Sequence, residues 1–318
     1  MNKPRHPMIE VHVPASTANL GAGFDCFGLA LQLYLTVRAT VLSGAGNRSQ
    51  VRSRGAKGSS LLARVPEENL IFRAMQHAAQ REGFALPPVR LAVQNAIPVA
   101  GGLGSSAAAI VAGVSLAFAV AGRSMPTASA LRYATELEGH ADNAAAALLG
   151  GLVVTATHAD GAVLAARIVW PKEIRIVAVT PDLSLATKKS RAVLPANVSR
   201  EDAVHNLQRS ALLIAALEEK RFDLLWDALQ DRLHQSYREH LIPGLAGILQ
   251  MPRAPGLLGI ALSGSGPSVI ALATDHFDAI GKSVAHHFER HRLAAAIRCL
   301  DVAPDGHTIT ESSLATDK

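Results

Sequence analysis

Residues 98–108 read Pro98-Val99-Ala100-Gly101-Gly102-Leu103-Gly104-Ser105-Ser106-Ala107-Ala108. Three glycines and two serines stand directly in front of an apolar run, Ala107 to Ala121, which predicts a buried helix. Glycines let backbone N–H groups approach an anion closely. Ser105 or Ser106 is placed to cap the helix, whose N-terminus carries free N–H groups and positive partial charge. The segment therefore reads as a phosphate cradle. Two common cradles do not fit. Gly102-x-Gly104-x-x-Ala107 formally matches the dinucleotide fingerprint, but it lies behind Pro98, its flanks are not βαβ-like, and the next acidic residue is as distant as Glu136. Gly281-Lys282-Ser283 has the tail of a Walker A motif, yet His276 stands where its first glycine belongs.

The chain has 318 residues, enough for about two domains. Hydrophobic residues make up 49% and charged residues 18%, the balance of a chain that buries large cores rather than a disordered one. Aromatics are only 4%, so the cores are expected to be Ala, Leu, Val and Ile. A net charge of +5 suits an anionic substrate. Nucleic acid is not expected as a partner. The densest basic stretch, Arg48, Arg52, Arg54 and Lys57, has no interleaved aromatic and reads as a solvated loop. The two cysteines, Cys26 and Cys299, share no metal or redox spacing, which argues against a disulfide framework or structural zinc and for a reducing, cytoplasmic location. Met1 to Ile9 lacks the apolar stretch of a signal peptide. The run Ala107–Ala121 is too short to span a bilayer, so no membrane association is expected.

Ile9 to Val13 alternates as a strand, ended by Pro14; Pro14 to Asp25 reads as a loop. Leu29 to Leu42 reads as strand and Ser43 to Ser60 as a polar loop. Asn69 caps a helix over Leu70 to Glu82 that Gly83 ends. Val89 to Ile97 is a strand. A helix over Ala128 to Leu137 follows the cradle helix, then the break Glu138-Gly139-His140-Ala141-Asp142-Asn143, a short Ala-rich helix, and strands at Val153–Thr157, Val163–Val169 and Ile174–Thr180. A boundary near Pro171 divides the chain into 1–170 and 171–318. The second part predicts helices over about 201–219 and 221–238, strands Leu257–Leu262 and Val269–Leu272, a helix Phe277 to Arg290, a strand Ala295–Val302, and a tail frayed from Asp305. The mixture lacks regular βαβ alternation and indicates an α+β chain.

Three segments together carry a resemblance. Pro98-x-x-x-Gly102-Leu103-Gly104-Ser105-Ser106-Ala107-Ala108 resembles the central phosphate-binding motif of the GHMP kinase superfamily. Pro14-Ala15-Ser16-Thr17-Ala18-Asn19-Leu20-Gly21-x-Gly23-Phe24-Asp25 is similar to its first motif as homoserine kinases write it. Ser263-Gly264-Ser265-Gly266-Pro267-Ser268 resembles its third. The branch is marked by Glu138 to Asn143 with Leu148-Leu149-Gly150-Gly151, by Thr187-x-x-x-Arg191-x-x-Leu194-Pro195, and by Asp231-Arg232-x-His234-x-x-Tyr237-Arg238 before Leu241-Ile242-Pro243-Gly244. All of these are similar to homoserine kinases.

The resemblance implies an N-terminal domain like ribosomal protein S5 domain 2, a ferredoxin-like C-terminal domain, a site between them, and a homodimer. It implies ATP and Mg2+, with L-homoserine as the phosphoryl acceptor. Pro98 to Ala108 would hold the ATP phosphates, with Ser263, Gly264, Ser265 and Gly266 as the third-motif loop. Asn19, Asp25, His140, Asp142, Thr187, Arg191 and Arg238 would hold homoserine, and Ser106 and Glu136 the metal, with Glu138 the alternative to Glu136. Asp142 would orient the attacking hydroxyl. Asn143 stands where the mevalonate branch places an aspartate, and an amide cannot accept the proton as a carboxylate can. The rivals are another small-molecule kinase of the superfamily and a non-catalytic ligand sensor. From bare sequence alone, Asn19, Asp25 and Asp142 read rather as turn residues, and Arg191 and Arg238 as solvated charges; the resemblance turns the reading toward binding.

Overall fold

The computed structural model describes residues 7–42, 48–54, 63 and 65–313. Met1 to His6, Lys57 and most of the Ser43–Ser60 segment lie outside the described residues. The strands are β1 (Pro7–Ala18), β2 (Phe27–Val41), β3 (Gln50–Arg54), β4 (Val89–Asn95), β5 (Leu152–Thr157), β6 (Val163–Ile168), β7 (Arg175–Pro181), β8 (Leu257–Leu262), β9 (Val269–Ala273), β10 (Ala295–Leu300) and β11 (Thr308–Ser313). The helices are α1 (Leu70–Glu82), α2 (Ser105–Val120), α3 (Thr127–Glu138), α4 (Asp142–Leu149), α5 (Thr187–Arg191), α6 (Arg200–Glu218), α7 (Leu225–Ala228), α8 (Gln235–Arg238), α9 (Leu245–Leu249) and α10 (Phe277–Glu289).

Seven strands form the first sheet, in the order β11-β1-β2-β4-β3, with β5 and β6 branching from β2. The long β2 makes the branch possible. Its first residues, Phe27 to Leu29, pair with β5, and Leu35 to Val41 pair with β4. Four antiparallel strands form the second sheet in the order β10-β7-β9-β8. Counted along the chain this is 4-1-3-2, the strand order of a ferredoxin-like unit. Period-two alternation buries both faces of this sheet. Ile176, Ala178, Ile270 and Leu272 face a core shared with the first sheet, while Val177, Val179, Val269 and Ala271 face a second core under α10. The shared core explains why the two halves meet closely enough to form a cleft.

Four sequence expectations change here. β1 does not stop at Pro14 but runs to Ala18. β11 pairs only with Pro7 to His12, so the N–H that Pro14 lacks has no partner to miss, and a bulge at Pro14/Ala15 absorbs the irregularity. A short parallel strand, β3, forms inside the expected polar loop with Val51 buried. The expected helix over 221–238 is broken into short pieces, because the Asp231 carboxylate accepts the N–H groups of Leu233, His234 and Gln235 and starts a new turn. The tail does not fray at Asp305. It returns to the first sheet as β11, so the part of the chain after residue 170 contributes to both sheets. Among the described residues, no helix is long and apolar enough to cross a membrane.

Candidate active site

A cleft opens between the two halves of the chain, lined by all three glycine-rich segments. One wall is backbone. Gly104, in the left-handed region at φ 69°, is the N-cap of α2 and carries no capping side chain. The expected serine cap is therefore absent. Ser105 turns to Asn95 and Ser106 to Glu138, leaving the first N–H groups of α2 without a side-chain cap. A side chain at Gly104 would collide with Ser16, and one at Gly102 with the Gly266 and Ser263 carbonyls, 2.7 Å away. Ser263 donates its hydroxyl proton to the Gly102 carbonyl at 2.6 Å and lies 2.8 Å from the Thr17 hydroxyl. The Ser268 N–H bonds Gly101, and the Gly264 N–H bonds Ala18. The three motifs are thus tied into one unit.

The other wall is side chains. Asn19 and Asp25 both have positive φ, 74° and 56°. Asn19 donates to the Gly264 carbonyl and accepts the Asp25 N–H. Arg191, from α5, grips Asp25 with two parallel hydrogen bonds, 3.0 and 2.5 Å. Burial opposes the charge on Arg191, but the Asp25 bond and charge outweigh it and raise its pKa. Arg238 is 1% exposed, and its guanidinium donates to the Ser190 and Gly264 carbonyls. Burial and the nearby Arg191 charge lower its pKa to about 10, which leaves it charged at neutral pH. Thr187 accepts from Ser265 at 3.3 Å. Both guanidinium groups lie over the Phe24 ring, at 5.6 and 5.8 Å.

Between the walls stand the ends of α3 and α4. The buried Asp142 carboxylate accepts from His140 Nδ1 at 2.7 Å and from the Asn143 N–H at 2.6 Å. Burial lowers the His140 pKa, but the hydrogen bond and charge of Asp142, with Glu138 behind it, outweigh burial and raise it. Asn143 accepts from the Ser16 hydroxyl at 2.9 Å. Glu138 accepts from Ser106 at 2.7 Å.

Glu136, expected as a metal ligand, does not line the cleft. It bonds His77 and Arg81, each at 2.8 Å, and Arg132 at 3.3 Å, on the exposed side of α3. Two helical residues apart is about 200° of rotation, so Glu136 and Glu138 face opposite ways. The expected substrate and catalytic residues Asn19, Asp25, His140, Asp142, Asn143, Thr187, Arg191 and Arg238 all line the cleft. Of the expected phosphate segments, Val99, Leu103, Ala107, Ala108 and Ser263 do not line it, and the last four of these are fully buried. Phe24, Asp231 and His234 were given no role from sequence. Phe24 was visible only as a member of the first motif, and Asp231 and His234 only in the spacing Asp231-x-x-His234-x-x-x-Arg238.

Family models for the GHMP kinases match twice, the N-terminal domain over residues 69–151 and the C-terminal over 213–290. A homoserine kinase from Desulfitobacterium hafniense is 40% identical over 305 residues, covering 95% of this chain and all of that protein. One from Deinococcus radiodurans is 42% identical, covering 91% and 90%. The crystal structure of homoserine kinase from Cytophaga hutchinsonii superposes with a TM-score of 0.85 at 26% identity, covering 98% of this chain and 99% of that one. With its three motifs joined around one cleft and this likeness along nearly its whole length, the chain belongs to the GHMP kinase family, among its homoserine kinases.

Proposed function

We propose that the chain transfers the γ-phosphoryl group of ATP to the side-chain hydroxyl of L-homoserine, giving O-phospho-L-homoserine. One observation carries the reading: a backbone anion cradle, an oxygen pair fit for Mg2+, and a carboxylate–guanidinium pair line the same cleft. Asp25 and Arg191 neutralise one another. An amino acid can enter such a pair without leaving either charge uncompensated. Its ammonium takes Asp25 and its carboxylate takes Arg191 and Arg238, beside Thr187. Mevalonate carries only the negative charge and galactose carries none, so neither can make that exchange.

The transition state of phosphoryl transfer is loose, and positioning with charge neutralisation supplies most of the acceleration. The N–H groups of the cradle and of the α2 N-terminus receive the ATP phosphates. Ser106 and Glu138 present a hydroxyl and a carboxylate 2.7 Å apart, hard oxygen donors that suit Mg2+, which needs few protein ligands beside phosphates and water. Bound there, Mg2+ would neutralise phosphate charge. Asp142 and Asn19 orient the homoserine hydroxyl for direct attack. Asn143 cannot serve as a base, so the hydroxyl proton leaves to the phosphate or to solvent. The family resemblance alone supports a homodimer.

The test is ADP release with Mg-ATP, comparing L-homoserine with mevalonate, galactose and L-serine. Turnover that depends on homoserine supports the reading. Turnover with another alcohol would retain the cradle but reassign Asp25, Asp142, Arg191 and Arg238. Binding of ATP and homoserine without turnover would favour a ligand sensor.

A further inference from the structure

His234 stands just before α8 with its side chain fully buried, and the transfer described above gives it no task. Its ring nitrogens face partners of opposite kind. Nε2 lies 2.8 Å from the Gly21 carbonyl, which can only accept. Nδ1 lies 2.9 Å from Arg238 Nη1, which can only donate. Both contacts are satisfied by one form alone, the neutral ring protonated at Nε2. A cationic ring would set N–H against N–H at Arg238. Burial, with Arg238 adding to it and Asp231 opposing, holds the His234 pKa below its ordinary value, in keeping with that form.

The surroundings leave the ring little freedom. Phe24 stacks on it at 5.2 Å and 24°. Asp231, 3.7 Å from Nε2, holds the backbone of the turn. On Arg238, Nε and Nη1 are directed at protein acceptors, whereas Nη2 has no hydrogen-bond partner among the described residues. Arg238 itself lines the cleft.

We infer that His234 is a positioning residue: its neutral ring fixes Arg238 through Nη1, so that Nη2 is presented to the carboxylate of the substrate. The inference rests on the substrate reading above. Losing the Nδ1 acceptor leaves a buried guanidinium N–H short of a partner, and the guanidinium can then turn from the cleft.

Two variants separate this role from a packing role. His234→Asn places a carbonyl oxygen where Nδ1 sits and keeps an acceptor for Arg238. His234→Gln reaches instead to where Nε2 sits and keeps only a donor for Gly21. Both give up the stacked ring. The expected result is a homoserine KM about tenfold higher for Gln than for Asn, from one lost hydrogen bond to a charged group, with the two ATP KM values alike. Equal homoserine KM values in the two folded variants, or a rise in both KM values together, would overturn the inference. Should both variants fail to fold, nitrogen-15 NMR of the histidine-labelled wild type reads the ring directly. A neutral His234 protonated at Nε2 is expected; an Nδ1–H or cationic ring would overturn it. If the wild type shows no turnover with homoserine, the substrate assignment fails, while the ring form remains measurable.

Discussion

The phosphate wall of the cleft is built from backbone, and the substrate wall from side chains that hold one another. On the first, the positive φ of Gly102 and Gly104 is a local signal, while the Gly266, Ser263 and Ser16 atoms that leave no room for a Cβ come from the other two motifs. On the second, the partners that pair its charges and join its loops are remote. Asp25 meets Arg191 across 166 residues, and Asn19 meets Gly264 across 245. A backbone site therefore tolerates change badly but specifies little beyond an anion. A side-chain site carries the discrimination, and its parts can be removed singly.

Glu138 is the residue where the two walls meet, and its loss should have the largest effect. Glu138→Ala is expected to lower kcat by roughly 10²–10³, the magnitude typical of losing one electrostatic stabiliser of the transition state. Glu136→Ala, outside the cleft, should leave kcat within about threefold, since its contacts are exposed ion pairs worth little. Asn143→Ala should fall between them. Steady-state ADP release across a Mg2+ series checks all three. Equal losses at Glu136 and Glu138 would remove the metal assignment.

Gly102→Ala tests the backbone wall. A side chain in the left-handed region costs about 1–3 kcal/mol, and here the added Cβ meets two carbonyl oxygens that belong to backbone and cannot swing aside. The ATP KM should rise roughly ten- to a hundredfold while homoserine binding changes less. Isothermal titration of each ligand separates the two. A drop confined to homoserine would show that the third loop serves the other wall.

Arg191→Ala tests the side-chain wall in the opposite sense. The homoserine KM should rise about tenfold or somewhat more, as expected for a charge-assisted bond on a partly exposed group, with the ATP KM unchanged. Equal rises in both would place Arg191 on the nucleotide.

The same contrast governs what the sequence revealed. α1 was legible to the residue, because its Asn69 cap accepts from the Ile71 and Phe72 N–H groups and Gly83 closes it at φ 70°; start and stop signals are local. The cradle was legible for the same reason. Pro14 misled, since whether a proline ends a strand depends on a neighbour, β11, supplied by the far end of the chain. Glu136 and Glu138 could be told to face opposite sides of α3, but only the packing of α3 decides which side is the cleft. The Asp25–Arg191 pair was visible as two separate ligands and not as partners, and His234 as a letter in a pattern. Side chains that act through other side chains leave no periodicity to read.

The smallest expected effect concerns His140, which bridges Asp142 and the Glu138 side of the cleft. Its pKa is raised in the folded protein, the Asp142 bond and charge outweighing burial. A group whose folded pKa lies above its unfolded value binds a proton more tightly when folded. Its contribution to stability is therefore fully present below the unfolded value of 6.5 and is lost as pH rises through the folded value. His140→Asn removes that titration and places an amide N–H where Nδ1 sits, so it can still donate a hydrogen bond to Asp142. The wild type should melt above the variant at pH 5.5, and the gap should narrow as pH rises through the folded value. The two proteins differ only at this side chain, so the difference between their pH profiles reads the imidazole. A gap that widens with pH would mean that His140 is held neutral, and that the Asp142 carboxylate relies on the Asn143 N–H rather than on a cation beside it.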